Sequence, residues 1–496
     1  MAEPLVVEEQ TGLKRSLKLI DATLLVSGTM IGSGIFIVSA DMARNLGSSG
    51  WLLLLWVLTG VITVTAALSY GELAGMMPKA GGQYIYIQRA YGSLLGFVYG
   101  WTVFSVIQTG TIAAVAVAFT KYSAVFIPAL NPENVLFSVG SFPIKAASLY
   151  AIGSVILLTW LNSQGVQSGK LIQNVFTSTK LIALIGLIII GIGLGMGQDT
   201  LAANFHNAWN ASTTGTDGSV VPLSGIALLM AFGVSMIGSL FSADSWNNVT
   251  FIAGEIQNPR RNIPLSLFLG TLIVTTLYIL ANIAYLSILP LHGSPTATDV
   301  VGRGIQFAEY DRVATAASSL IFGDVAVSIM AGLIMISTFG CNNGLILAGA
   351  RLYYAMAKDG LFLKQASKLN QNSVPAFALW LQCAWASVLC LSGTYGDLLD
   401  YCTFTSLVFY IVTIGGIFLL RRKEPDAERP YKAFGYPVLP LIYILAGLGI
   451  CTILLIEKTR NTGMGLLIAG IGVPIYFLTK RGSKEEDVSA DRGGSL

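Results

Sequence analysis

Twelve stretches of this chain are apolar over a length that carries a helix across a bilayer, and no other feature of the sequence restricts its fold so strongly. A hydrocarbon core about 30 Å thick takes roughly 20 apolar residues per helix. The runs lie near 19–43, 51–78, 92–127, 146–163, 169–197, 223–254, 264–290, 318–355, 375–393, 396–420, 437–457 and 463–479. A backbone inside hydrocarbon must satisfy its own polar groups, so runs of this length predict helices. Of the 496 residues 54% are hydrophobic and 11% charged, too few charges to wet the surface of a soluble protein. The expectation is an all-α polytopic membrane protein with 12 transmembrane helices. The first 17 residues mix Glu3, Glu8 and Glu9 with Lys14 and Arg15 and lack the apolar core of a secretory signal, so the first span is expected to stay in the mature protein.

Twelve spans put both ends on one side, and basic residues say which. Of 29 Lys and Arg, 21 fall in the tails and the loops on the same side as the tails. Seven lie opposite (Arg44, Lys121, Lys145, Arg303, Arg312, Lys458 and Arg460), and Lys180 lies within a span. The positive-inside rule therefore predicts cytoplasmic termini in a cell membrane. A net charge of +3, scattered beside apolar runs, forms no stripe for nucleic acid. The five cysteines (Cys341, Cys383, Cys390, Cys402 and Cys451) show no C-x-x-C spacing and read as packing residues; neither a metal nor a cofactor is expected.

Two spans are interrupted. The first contains "VSGTMIGSGIF", Val26–Phe36, where Gly28, Gly32 and Gly34 either let a neighbouring helix approach or break the helix. The sixth places "FSADSWNN", Phe241–Asn248, at membrane depth, which no lipid-facing helix tolerates. Paired interruptions opening two similar five-span blocks are the sign of an inverted-repeat transporter, in which half-helix N-termini meet an anion and unwound carbonyls a cation. An amino acid carries both charges on one carbon. Its carboxylate would take the backbone N–H groups of Ile31, Gly32, Ser33, Gly34 and Ile35 with the Ser33 hydroxyl, and its ammonium the carbonyls near Ile31 and Phe241. The organisation expected is a cytoplasmic tail (1–18), a first five-helix repeat (19–197), an extracellular loop (198–222), a second repeat (223–420), a cytoplasmic loop (421–436), helices 11 and 12 (437–479) and a cytoplasmic tail (480–496).

The stretches "GTMIGSGIF", "YGELAGMMPKAGGQYIYI", "GVQSGKLIQNVFTSTKLIAL", "FSADSWNNVTFIAGEIQNPRRNIP" and "NNGLILAGARLYYAMAKDG" occur in order at their expected spans. Through them the chain resembles, from about Leu17 to Leu420, the L-amino acid transporter (LAT) family of the amino acid, polyamine and organocation (APC) superfamily. The resemblance implies a LeuT-like 5+5 inverted-repeat core with two additional helices outside it. It also implies sodium-independent transport of L-amino acids, often by obligatory exchange, and the absence of a cysteine between segments 3 and 4 points to a bacterial stand-alone member.

Within that resemblance particular residues acquire roles. Lys180 lies about 15 Å into its span at 1.5 Å per residue, too deep to reach water easily. In the family a lysine there puts its amine where related carriers hold sodium, with segment 1 carbonyls and Ser337 as partners; a lysine near a helix end reaching the interface is the plainer reading. A buried lysine can also pass a proton, so exchange and proton-coupled symport both stay open. Phe241 resembles the family's aromatic gate, with Trp246 beside it, although both also read as core aromatics. Phe241, Ser242 and Asp244 are candidate substrate-binding residues; Asp244 replaces a glycine of many neutral-substrate relatives and either pairs with a basic substrate, caps the broken helix end or meets another protein donor. Glu72, Glu255 and the "QNPRRNIP", "MPKAGG" and "RLYYAMAKDG" runs read mainly as solvated helix ends, with inside-gate ion pairs as the alternative. Asn342 and Asn343 read as interhelical hydrogen bonds. The loop Pro128–Lys145 has no cysteine, where animal members carry one for a glycoprotein partner, so no disulfide-linked heavy subunit is expected. Besides the amino acid and the lipid bilayer no partner is implied. An intramembrane enzyme has little support: His206 and His292 fall in outside loops, and neither H-E-x-x-H nor G-x-S-x-G occurs.

Overall fold

The computed structural model describes residues 15–493 apart from 132, 140–141 and 393–394. Of the expected tails, residues 1–14 and 494–496 therefore lie outside the described residues.

The first apolar run is two helices, α1 (Leu19–Met30) and α2 (Gly34–Leu46). Next comes α3 (Ser49–Met76), started by the Ser48 side chain, which accepts from the Trp51 amide at 3.3 Å and so satisfies a first-turn donor. After α4 (Gln83–Tyr91), the third run is α5 (Ser93–Thr102) joined through one π-helical turn, Val103–Ile107, to α6 (Gln108–Ser123). Helices α7 (Ala146–Ser163), α8 (Val166–Gly195) and the short α9 (Asp199–Phe205) complete the first half.

The sixth run holds α10 (Gly225–Ser242) and the single turn α11 (Asn248–Phe251). Helix α12 (Pro259–Ile288) opens with proline at its first position, where the missing N–H is no loss. Then follow α13 (Val300–Arg303), α14 (Val313–Phe322), α15 (Asp324–Lys358), α16 (Ala376–Ser392), α17 (Tyr395–Lys423), α18 (Val438–Glu457) and α19 (Thr459–Gly493).

Among the described residues eleven helices have the length and hydropathy of a membrane span. The difference from the twelve expected lies in the ninth run, whose helix α16 has 17 residues. The eighth run, 318–355, too long for a single straight span, divides between α14 and α15 at Gly323, whose φ of 73° suits glycine alone. The chain is mostly helical but not wholly so. The loops carry two antiparallel hairpins, β1 (Val135–Val139) with β2 (Phe142–Lys145) and β3 (Ser212–Thr214) with β4 (Val220–Pro222).

Burial separates centre from edge. The most apolar window of the α1–α2 span is 89% buried and that of α19 22%, so the interrupted span lies inside the bundle and the last helix on its rim. Helix α1 packs against α8, α12 and α15, and α10 against α2, α3 and α17. Outward residues such as Val61, Ile182 and Ile189 are apolar and exposed, as a lipid-facing surface requires.

Candidate functional site

Both interruptions are real breaks, and they touch. Ile31–Ser33 separate α1 from α2, and residues 243–247 separate α10 from α11, with Ser245 in the left-handed region at φ 67°. A methyl group on Gly34 would run into the Ser242 side chain, and one on Gly28 into Gln173 and Thr177 of α8. The glycines thus serve close approach as well as unwinding.

Breaking a helix frees carbonyls and N–H groups together, and here the two are treated differently. Each carbonyl from Gly28 to Gly32 has a side-chain donor within reach, as do two at the second break. Lys180 Nζ donates to Gly28 O at 2.5 Å and Ile31 O at 2.7 Å, with Ser337 O at 3.5 Å. The Tyr278 hydroxyl lies 2.9 Å from Met30 O and 3.0 Å from Ser242 O. Ser337 Oγ approaches Ile31 O at 3.2 Å and Gly32 O at 3.4 Å, Cys341 Sγ reaches Thr29 O at 3.1 Å, and Thr29 Oγ1 reaches Ser245 O at 3.0 Å. The donors are another matter. The first turn of α2 leaves N–H groups without intrahelical acceptors, and among the described residues no side chain accepts from them. That helix end, with its partial positive charge, points an unfilled set of donors at the break.

Lys180 is 1% exposed, and all its oxygen partners are backbone carbonyls. Its ammonium holds the unwound stretch by charge-assisted bonds, about twice as strong as neutral ones. Ile31 O already takes Lys180 and Ser337, and Phe241 O takes the amides of Ala243 and Asp244, so both carbonyls expected to face a substrate ammonium have protein donors.

Above the break lies an aromatic pair. The Tyr395 hydroxyl is 3.0 Å from Ser33 Oγ, and its ring meets Phe241 edge-on with centroids 6.2 Å apart. Beyond Tyr395 opens a cleft of about 760 Å³ lined by Ile37, Asp41, Arg44, Lys121, Asp311 and Asp397 among others. Ile31, Gly32, Ser33, Gly34, Ile35, Phe241 and Ser242 are all buried beneath it.

Asp244 is buried and turns to α17: the Tyr410 hydroxyl is hydrogen-bonded to its Oδ1, and Ser406 Oγ lies 3.4 Å from Oδ2. Trp246 packs in a cluster with Tyr70 (4.7 Å between centroids) and Tyr410 (5.2 Å), away from the Phe241–Tyr395 pair.

The sequence profile of the amino acid permease family matches residues 17–474. The chain belongs to that family. Similar proteins include "Large neutral amino acids transporter small subunit 2" of Mus musculus, 30% identical over 471 residues, covering 94% of this chain and 81% of its own. "Serine/threonine exchanger SteT" of Bacillus subtilis is 29% identical over 476 residues, covering 95% of this chain and 98% of its own. "b(0,+)-type amino acid transporter 1" of Mus musculus is 30% identical over 442 residues, covering 88% and 82%.

On the opposite side of the bundle from the cleft, this amino acid permease family member departs from the solvated helix ends expected at Glu255 and Glu72. Glu255 and Arg351 form a buried ion pair at 2.9 Å between the end of the sixth run and α15. The chain before α1 folds beneath it, the amides of Ser16 and Leu17 each donating to Glu255 O at 3.0 Å. Glu72, also buried, takes two of the Arg421 nitrogens (2.9 and 2.6 Å), the Ala433 amide (2.7 Å) and Arg429 at 3.3 Å. The reason for the difference is tertiary: the loop after α17 folds back under α3, and the guanidinium of Arg421 stacks on Tyr436 at 3.7 Å. Asn342 donates to Ile112 O at 3.1 Å and Asn162 donates to Asn343 Oδ1 at 2.8 Å, both between helices. Tyr278 and Tyr395 were not foreseen; a tyrosine in an apolar run carries no local mark of the break it faces.

Proposed function

We propose that this chain is a sodium-independent exchanger of L-amino acids that works by alternating access, and is not an enzyme. One observation carries the reading: an ammonium belonging to the protein occupies the carbonyls of an unwound helix whose partner half-helix presents free N–H groups. The substrate carboxylate lies on the Ser33–Ile35 amides and the Ser33 hydroxyl once Tyr395 yields it. The substrate ammonium shares the Phe241 carbonyl. Tyr395 and Phe241 close the cleft side, and the Glu255–Arg351 pair closes the opposite side.

The architecture proposed is a LeuT-like core of two inverted five-helix repeats, 19–197 and 223–420, with α18 and α19 outside it and both termini cytoplasmic. In this architecture α16 is the ninth of twelve spans. At 1.5 Å per residue its 17 residues reach about 25 Å, and a helix that short is accommodated by local thinning of the bilayer. The names of relatives, two transporters and a serine/threonine exchanger, favour the same class. A stand-alone carrier follows from the loop 128–145, which lacks cysteine, and from five cysteines that are all buried and free.

The test is uptake of labelled alanine, leucine and arginine into sodium-free liposomes preloaded with each amino acid in turn. Exchange predicts uptake that depends on the internal amino acid. Uptake into empty vesicles that only a pH gradient drives favours symport instead.

A further inference from the structure

Asp244 lies at membrane depth with neutral partners only. The described titratable groups around it are the hydroxyls of Tyr70, Tyr99, Tyr410 and Tyr443 and the Cys402 thiol, and no basic side chain lines the voids beside it. An unpaired carboxylate costs several kcal/mol in such surroundings and tends to neutralise. The hydrogen-bond network says independently where the proton is.

The chain of deduction starts at Phe409 O, which can only accept. Thr413 Oγ1 donates to it at 2.7 Å, spending its single proton. Gln83 Nε2 must then be the donor to both Phe409 O (3.2 Å) and Thr413 Oγ1 (2.9 Å), which fixes the Gln83 amide. Gln83 Oε1 therefore accepts, from Tyr99 at 2.9 Å and from Asn247 Nδ2 at 2.8 Å, which fixes Asn247. Asn247 Oδ1 consequently faces the Tyr410 hydroxyl at 3.2 Å. Tyr410 has one proton and two acceptors, Asn247 Oδ1 and Asp244 Oδ1. With Asp244 ionised, one acceptor goes short. With Asp244 protonated, its O–H donates to Tyr410, Tyr410 donates to Asn247, and every oxygen has a proton.

We propose that Asp244 is a proton-binding site of the transport cycle, neutral in this closed arrangement and ionised when its bond to Tyr410 is broken. On ionisation the Asp244 O–H bond breaks, its proton passes to water, and the carboxylate keeps the electron pair. Voids of about 10 and 20 Å³ flank the residue, each the size of one water, and give that proton its first acceptor. The consequence for transport rests on the exchanger reading above; the protonation state does not.

Infrared spectra of the full-length protein in lipid at pH 7, wild type minus Asp244→Asn, test it. A carboxylic-acid C=O band present in the wild type and missing from Asp244→Asn is expected. Tyr410→Phe, which leaves Asp244 in place without its acceptor, is expected to move that band to higher wavenumber. Wild-type and Tyr410→Phe proteins that both lack the band overturn the proposal, even where Asp244→Asn fails to fold. A wild type that shows the band but exchanges no amino acid overturns the transport reading and upholds only the protonated Asp244.

Discussion

Replacing Lys180 with alanine removes the ammonium that shapes the first break, and its effect can be sized. The bonds to Gly28 O and Ile31 O, at 2.5 and 2.7 Å, are short and charged, whereas Ser337 O at 3.5 Å adds little. Hydrogen bonds to a charged group are worth about 1.5–3 kcal/mol each, so the gross loss is about 3–6 kcal/mol. Against this stands the cost of keeping a charge in the membrane, at least about 2.5–3.5 kcal/mol on insertion scales. Overall stability therefore changes little, and the protein is expected to express and purify. The break itself fares worse. Gly28 O loses its side-chain donor and Ile31 O keeps only Ser337 Oγ. With about 1–3 kcal/mol for each group left short, the shaped site loses roughly 3 kcal/mol relative to other local conformations, a fall in occupancy of about a hundredfold.

The assay is amino acid counterflow in sodium-free proteoliposomes, with the unfolding midpoint measured alongside. The expected result is a rate about a hundredfold lower at a nearly unchanged midpoint. Methylammonium or sodium, filling the oxygens Lys180 leaves, is expected to restore part of the rate. A folded Lys180→Ala protein that exchanges at the wild-type rate without added cation would refute the reasoning.

Tyr395→Phe removes a lid hydrogen bond worth about 0.5–1.5 kcal/mol and is expected to lower KM for external substrate by up to about tenfold; an unchanged KM removes Tyr395 from the lid. Glu72→Gln strips Arg421 and Arg429 of a buried partner, at about 3–5 kcal/mol, and is expected to lower the unfolding midpoint and expose residues 424–436 to protease. Arg351→Met alone is expected to destabilise by a similar amount through the uncompensated Glu255, while Glu255→Met with Arg351→Met restores the midpoint; a double variant as unstable as the single contradicts the pairing. The hydrogen bond from Arg89 holds the Glu424 carboxyl below the usual range. That pair therefore stabilises above the ordinary carboxylate pKa and fades as pH falls through the lowered value, by no more than about 1 kcal/mol because both side chains are exposed; Arg89→Gln should flatten this acid limb of the midpoint profile.

The parts of the fold that the sequence announces are those where chemistry conflicts with lipid. "TMIGSGIF" and "FSADSWNN" stand out because a continuous lipid-facing helix cannot hold them, and both lie at breaks. Lys180 is marked by its depth alone. What stays hidden depends on partners far along the chain. Glu255 and Arg351 are 96 residues apart, and each looks like an ordinary charge at a helix end until the segment before α1 is folded beneath them. Glu72 reads the same way, since its burial is decided by a loop some 350 residues later. The shortness of α16 and the loop hairpins escape for a related reason, because apolar run length sets neither where a helix stops nor how a polar loop pairs.

The two kinds of freed backbone group also bear on why sodium would be dispensable. A cation site needs oxygens with lone pairs to spare, and the carbonyls from Gly28 to Gly32 are already met by Lys180, Cys341, Tyr278 and Ser337. A sodium ion brought to the same carbonyls would face a fixed ammonium a few ångströms away. Even at an effective dielectric of 20, two unit charges about 4 Å apart repel by about 4 kcal/mol, close to a thousandfold in affinity. The unfilled donors at the start of α2 have the opposite preference, because the helix end and Lys180 both favour negative charge near the break. A free amino acid satisfies that preference with its carboxylate and needs no metal to do so. An outward-facing and an inward-facing form that kept this arrangement would each bind substrate without sodium.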